Sequence, residues 1–341
     1  MFNILKKILI PLTWIYATLL WLHRIWQKRL APVKLSVPVI SVGNITVGGT
    51  GKTELVALLA KFFLSQGLKP GILSRGYGRR NIKELVVVSD GSEVEAKIEN
   101  AGDEPYLLAS RLAGVGVVVS QDRVKAGNYA IKNLGCQILI LDDGFQRRYQ
   151  IKRDLDLVLI DAADPWGGKH LLPVGSLREP LNTLTEADLI ILSRSEQYAV
   201  NDTLRELSKI TNKTVFKAEH KPTRIIEVNQ GRVYHVDSLA RQRVIAVAGI
   251  ARPQSFVKTL QALKAEVVAT LFYPDHHWYT LAEVKKIISL SKSLSAKIIT
   301  TTKDMLKLKT YKIEDELLAL EIEFTLSDLK EFELCLRKSI Q

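Results

Sequence analysis

The chain has 341 residues, room for two domains, and its 47% hydrophobic and 25% charged residues are the balance of an ordinary folded protein. A formal net charge of +12 calls for an anionic partner, such as anionic lipid headgroups or a phosphorylated substrate. No RNA-recognition signature, zinc spacing or helix-turn-helix pattern accompanies that charge, which speaks against nucleic acid, and Cys136 and Cys335 offer no disulfide framework, which fits a reducing cytoplasm.

Residues 8–22 are almost uniformly apolar, broken by Pro11, Thr13 and Thr18 and flanked by Lys6 and Lys7 on one side and His23, Arg24, Lys28 and Arg29 on the other. The stretch is shorter than the ~20 residues a spanning helix needs, and basic residues at both ends favour one leaflet surface. With Trp14, Thr18, Trp21 and Ile25 on one helical stripe and Trp26 nearby, residues 1–30 read as an interfacial helix. No small-residue cleavage site follows, so a signal peptide is not expected.

Residues 37–42 suit a buried strand, and residues 54–66 carry Leu55, Leu58, Leu59, Phe62 and Phe63 at helical spacing, closed by Gly67. Between them, Thr46-Val47-Gly48-Gly49-Thr50-Gly51-Lys52-Thr53 reads as a phosphate-binding loop. Backbone N–H groups turned inward and a helix N-terminus would hold an anion there. Thr46, Gly48, Gly49, Thr50, Gly51, Lys52 and Thr53 would surround the nucleotide, with Lys52 on the β- and γ-phosphates and the Thr53 hydroxyl on Mg²⁺. The usual pattern opens with glycine where this chain has Thr46.

Further along, residues 69–74 form a strand that runs into the basic loop Ser74-Arg75-Gly76-Tyr77-Gly78-Arg79-Arg80. Gly102-Asp103-Glu104-Pro105 opens a helix through Leu112, and Asp103 is either its N-cap or a carboxylate aimed at a reacting hydroxyl. After a strand at 115–120, residues 136–144 supply the acid-tipped strand a nucleotide–Mg²⁺ site requires, ending in Asp142-Asp143. Neighbours on a strand face opposite ways, so one acid can face the metal while the other meets water or a cation.

Strands at 154–160 and 187–192 continue the series, and the loop at 164–180, with Trp166-Gly167-Gly168-Lys169-His170, is either a substrate loop or a solvent-exposed connection. Alternating apolar strands and helices predict an α/β fold of the phosphate-loop NTPase type, a parallel sheet with helices on both faces, over residues 31–222. Residues 223–236 read as a β-hairpin linker, and 237–341 as a smaller C-terminal α/β domain with strands at 244–249, 267–273 and 297–302 and helices at 253–263 and 281–294. Within it, Asp275-His276-His277 follows a strand. Adjacent histidines on an extended backbone point apart and make poor joint ligands for one metal.

Taken in order, these motifs, with Leu141-Asp142-Asp143-Gly144-Phe145-Gln146, Leu172-Pro173, Leu177-Arg178-Glu179-Pro180 and Ala248-Gly249-Ile250-Ala251-Arg252-Pro253, resemble the tetraacyldisaccharide 4′-kinase family over nearly the whole chain. The resemblance implies Mg²⁺- and ATP-dependent phosphorylation of the 4′-hydroxyl of a tetraacylated glucosamine disaccharide 1-phosphate in lipid A biosynthesis. The enzyme would work peripherally on the cytoplasmic face of the inner membrane. It further implies catalytic roles for Asp103, Lys52 and His276, metal-side roles for Thr53, Asp142 and Asp143, and substrate contacts from Arg75, Tyr77, Glu104, Arg123, Gln146 and Arg178. Departures from the family pattern fall at Glu54, at Trp166–Lys169 and at Thr302. The rival from another class is a membrane-associated regulatory NTPase, because Thr302-Lys303-Asp304 resembles a guanine-reading sequence without its spacer.

Overall fold

The computed structural model describes residues 2–311, 313 and 317–339, with side chains from residue 9 onward; Lys6 and Lys7, expected to flank the apolar stretch, lie outside the described side chains. The chain forms two compact units, Met1–Glu219 with Phe324–Gln341, and His220–Glu323.

The first unit opens with helix α1 (Phe2–Lys28) and continues β1 (Val39–Asn44), α2 (Lys52–Ser65), β2 (Pro70–Ser74), β3 (Leu85–Ser89), α3 (Ile98–Ala101), α4 (Asp103–Arg111), β4 (Gly116–Ser120), α5 (Arg123–Lys132), β5 (Ile138–Asp142), β6 (Leu155–Asp161), β7 (Leu189–Ser193) and α6 (Asn201–Ile210). The chain leaves along β8 (Thr214–Glu227). Sheet order is β3-β4-β2-β5-β1-β6-β7-β8, parallel apart from β3. Both faces are covered, which is why the strands read as continuous apolar runs. Ile138 and Ile140 pack with Leu55, Leu59 and Phe63 on one side, while Leu139 and Leu141 pack with Ala126 and Ala130 on the other.

The second unit contains β9 (Val233–His235), β10 (Arg243–Ala248), α7 (Pro253–Ala262), β11 (Glu266–Phe272), α8 (Leu281–Leu294), β12 (Lys297–Thr301), α9 (Thr302–Leu308) and most of β13 (Leu317–Leu326). Its parallel order is β11-β10-β12-β13. Thr280 and Glu283 close a capping box on α8, the local signal that starts this helix where periodicity placed it.

The division departs from the expected one at two places. The hairpin expected at 223–236 forms, with Arg224 opposite His235; it is built from the end of β8, and its residues fall within the second unit. Residues after 324 do not stay with the C-terminal domain: α10 (Leu329–Ser339) returns to the first unit. Its apolar stripe needs a core, and Phe332 (1% exposed) finds one with its ring 5.2 Å from that of Phe216. Phe332→Ala is therefore expected to destabilise the first unit by about 3–5 kcal/mol, read from a denaturant titration. A loss below about 1 kcal/mol would mean that α10 adds little to that core.

Candidate active site

The loop between β1 and α2 is shaped by its glycines. Gly51 caps α2 at φ 96°, a conformation closed to most side chains, and no side chain caps the helix. The N–H groups of residues 48–53 consequently donate to no hydrogen bond among the described residues, leaving a row of donors for an anion. Thr46 fits where glycine is usual: it is buried, bridges to Leu177, and its carbonyl accepts from Asn44 Nδ2 at 2.7 Å.

The segment around Leu177 is part of this site. Val47 N–H donates to Ser176 O at 2.8 Å and Arg178 N–H to Ile45 O at 2.7 Å, so the segment forms a rail beside the phosphate loop. Of the expected cluster just before it, Trp166 is buried in the core and Lys169 turns to the surface, 3.5 Å from Glu206.

The paired acids occupy opposite electrostatic settings. Asp142 ends β5 and is 4% exposed; its Oδ2 accepts from Ser74 Oγ at 2.9 Å, while its buried Oδ1 has no partner. Burial, with Glu104 and Asp143 nearby, pushes its carboxyl up to about 6 against the pull of Lys52. Asp143 leaves the strand at φ 55°, and that turn separates the two side chains. Burial would raise Asp143 too, but the cations prevail: Lys52 Nζ lies 3.5 Å from Oδ1 and Arg178 forks onto both oxygens at 3.2 and 3.1 Å. Its carboxyl is held well below the usual range.

Asp103 is not the N-cap of α4; Gly102 is, and Asp103 is the first helical residue. Its buried carboxylate accepts from Glu104 N–H at 3.0 Å. The basic loop reaches this turn backbone to backbone, since a Cβ on Gly76 would lie 2.9 Å from Ala101 O. Arg75 and Tyr77 on that loop are exposed, and Glu104 is close enough to raise Asp142. Arg123, expected on the substrate side, is buried: Nη2 donates to Asp142 O at 2.8 Å, and burial lowers its pKa to about 10, so it stays charged. Gln146 donates to Asn44 O at 2.5 Å and receives Gln27 from α1 through its own carbonyl at 3.1 Å.

His276 lies in the second unit, beside Asp275 (3.7 Å), and the backbone there is not extended as expected, because His276 takes φ 62° in a turn. His277 is committed to its own unit, 3.1 Å from Glu283 and stacked on Tyr273. Asp304, whose sequence context resembles a base-reading acid, is fully buried and accepts from Gly249 N–H and Thr301 Oγ1, each at 2.9 Å. It holds a turn and has no surface for a guanine. Glu54, at a family departure, pairs with Arg111 at 2.9 Å.

Two residues of this loop's surroundings were not expected. Arg194 and Asp161, at the carboxyl ends of β7 and β6, form a buried pair that reaches Gly49 O. The strand-end rule that picked out Asp142 on β5 applies equally to them.

For a divalent cation, the orphaned Asp142 Oδ1 and the Thr53 hydroxyl are suitable hard donors. Among the described residues no group of three or more His, Cys, Asp or Glu side chains could hold a metal. An ion here would thus complete its shell with nucleotide oxygens and water, as Mg²⁺ commonly does. Asp143, neutralised by two cations, is the weaker donor of the pair.

A family model described as tetraacyldisaccharide-1-P 4′-kinase matches residues 5–341. The chain belongs to the tetraacyldisaccharide 4′-kinase family. The tetraacyldisaccharide 4′-kinase of Syntrophus aciditrophicus (strain SB) is 39% identical over 321 residues, 90% of this chain and 85% of that one. That of Desulfatibacillum aliphaticivorans is 39% identical over 330 residues, 94% and 88% of the two chains. Among solved structures, LpxK from Aquifex aeolicus in complex with ATP aligns with a TM-score of 0.78 and 32% identity, covering 99% of this chain and 100% of that one. The match to this kinase family runs through both units, so it takes in Asp275-His276-His277 as well as the phosphate loop.

Proposed function

We propose that this chain transfers the γ-phosphoryl group of ATP to the 4′-hydroxyl of a tetraacylated disaccharide 1-phosphate. The observation that carries the reading is the acid pair at the mouth of the anion loop, one carboxylate neutralised by Lys52 and Arg178 and the other with a buried oxygen unsatisfied. The acceptor oxygen bonds to the γ-phosphorus, the bond from that phosphorus to the β–γ bridging oxygen breaks, and ADP leaves. The hydroxyl proton passes to Asp103. Lys52 and the loop N–H groups neutralise and position the triphosphate, which is most of what phosphoryl transfer asks of a protein. Mg²⁺, held by Thr53 and Asp142, supplies further charge neutralisation when bound. Arg75, Tyr77, Glu104, Gln146 and Arg178 face the acceptor in this reading, with Arg123 fixing the acid strand behind it. The family resemblance also implies a role for His276, and loss of transfer in His276→Ala at unchanged ATP affinity is its test.

The lipid acceptor sits in a membrane surface, and we assign α1 to reach it there, placing the protein peripherally on the cytoplasmic leaflet. No helix among the described residues is long and apolar enough to cross a membrane. Helix α1 docks on the site's rail through Tyr16 Oη to Arg178 O (3.0 Å) and Arg24 to Glu179 (2.7 Å), while Trp14, Leu19 and Trp21 stand at least 60% exposed. Ile25, expected on the same stripe, is half-buried where the helix meets the body. The double variant Trp14→Ala/Trp21→Ala is expected to weaken binding to anionic vesicles by about tenfold or more, measured by co-sedimentation. Unchanged binding would remove α1 as the membrane contact.

The deciding assay combines purified full-length protein, Mg²⁺, ATP labelled at the γ-phosphate and the tetraacyl disaccharide 1-phosphate in detergent. Label in the lipid is the expected result. Free phosphate without labelled lipid would overturn the kinase reading and favour a regulatory NTPase.

A further inference from the structure

We propose that Arg194, locked by Asp161, is a positioning residue that sets the phosphate loop in its anion-binding orientation, an inference that rests on the nucleotide reading above. Arg194 Nε donates to Asp161 Oδ1 at 2.8 Å and Nη2 to Asp161 Oδ2, and the same Nη2 donates to Gly49 O at 2.7 Å. Both side chains are buried, Asp161 at 1% exposure. The guanidinium is therefore fixed by its fork on the carboxylate before it meets the loop.

The direction of that contact is what matters. In the sheet, β6 and β7 lie on one side of β1 and β5 on the other, so Arg194 draws the Gly49 carbonyl away from the side that holds Asp142 and Asp143. The Gly49–Thr50 peptide is trans, and across a trans peptide the C=O and the following N–H point opposite ways. Holding the carbonyl toward β7 aims Thr50 N–H toward Lys52 and the acids. Glycine at 49 leaves its own ψ free, so without the strut only the φ of Thr50 resists a turn of that peptide, which would hide a donor and present an oxygen to the phosphates. Arg194 itself is held at φ 59°, a conformation unfavourable for a side-chain-bearing residue, as found where a fold fixes a functional group.

The test is nucleotide affinity of the full-length protein by calorimetry, beside the thermal midpoint and the KM for the lipid acceptor. Arg194→Lys keeps the charge but loses the Nε leg of the fork, so its ammonium is no longer fixed on Asp161 as it meets the loop. The expected result is a rise of about tenfold or more in the Kd and KM for MgATP, with the lipid KM and the thermal midpoint nearly unchanged. Asp161→Asn should move the same quantities in the same direction. The double variant Arg194→Lys/Asp161→Asn should be no worse than the weaker single, since both remove one strut. A nucleotide Kd within about twofold of wild type in Arg194→Lys would overturn the proposal, as would ATP and lipid affinities falling together with the thermal midpoint. Wild-type protein that binds no ATP would instead remove the nucleotide site, and with it any role for the strut.

Discussion

Asp103→Asn is expected to lower kcat by about 10²–10⁴-fold while leaving the KM for ATP within about twofold. Asparagine keeps the shape of the side chain and an oxygen that can accept Glu104 N–H, the bond Asp103 makes at 3.0 Å, so the start of α4 survives. What it loses is the ability to take a proton. Asp103 sits where the basic loop and the helix start meet, whereas the triphosphate would be held by Lys52 and the N–H groups of the anion loop, which the substitution leaves as they are, and ATP affinity should not change. Steady-state kinetics with each substrate varied separates the two effects. A fall in kcat of less than about tenfold would remove Asp103 as the proton acceptor.

Asp142→Asn should trade activity for stability. Transfer is expected to fall by about 10²–10³-fold, because the variant puts a neutral amide where the metal-side charge belongs. Stability should move the other way. The Asp142 carboxyl is raised from an ordinary value of 3.8 to about 6, chiefly by burial and then by Glu104 and Asp143. Between those values the folded state binds the proton more tightly than the unfolded state, so Asp142 lowers stability as pH rises from about 4 to about 6, and its cost is complete above that. At pH 8 the asparagine variant should be more stable than wild type by about 1–3 kcal/mol, with the difference shrinking toward pH 4. Denaturant titrations at the two pH values measure it. The same proton predicts that wild-type kcat/KM for MgATP declines as pH drops through about 6. A variant less stable than wild type at pH 8 would show that the charge on Asp142 is stabilised in the fold.

Much of this site was legible in the chain because local chemistry dictates it. Gly51 must cap a helix at positive φ, Lys52 must follow it, and an apolar strand ending in acids must lie beside β1; each demand leaves its mark on neighbouring residues. The resemblance of the ordered motifs then pointed to the family that the whole-chain match bears out. What proved illegible were choices made by distant contacts. Asp142 and Asp143 are identical in type and adjacent, and alternation along a strand could say only that they differ. Which one is neutralised was decided by Arg178, brought from 35 residues away onto Asp143, and by Ser74, brought from β2 onto Asp142.

The sequence by itself determined the phosphate loop, the alternating strands and helices, the amphipathic first helix and the excess of positive charge, because periodicity, glycine conformation and composition act over a few residues. Only the tertiary structure decided that α10 closes the first unit's core, that the hairpin belongs to the second unit, and that Arg194 and Asp161 grip the phosphate loop. Those outcomes depend on which apolar stripe finds an unfilled core and which buried charge finds a partner. Both are settled between residues about a hundred or more positions apart, or, for Arg194 and Asp161, at the ends of neighbouring strands, where no short-range pattern records them.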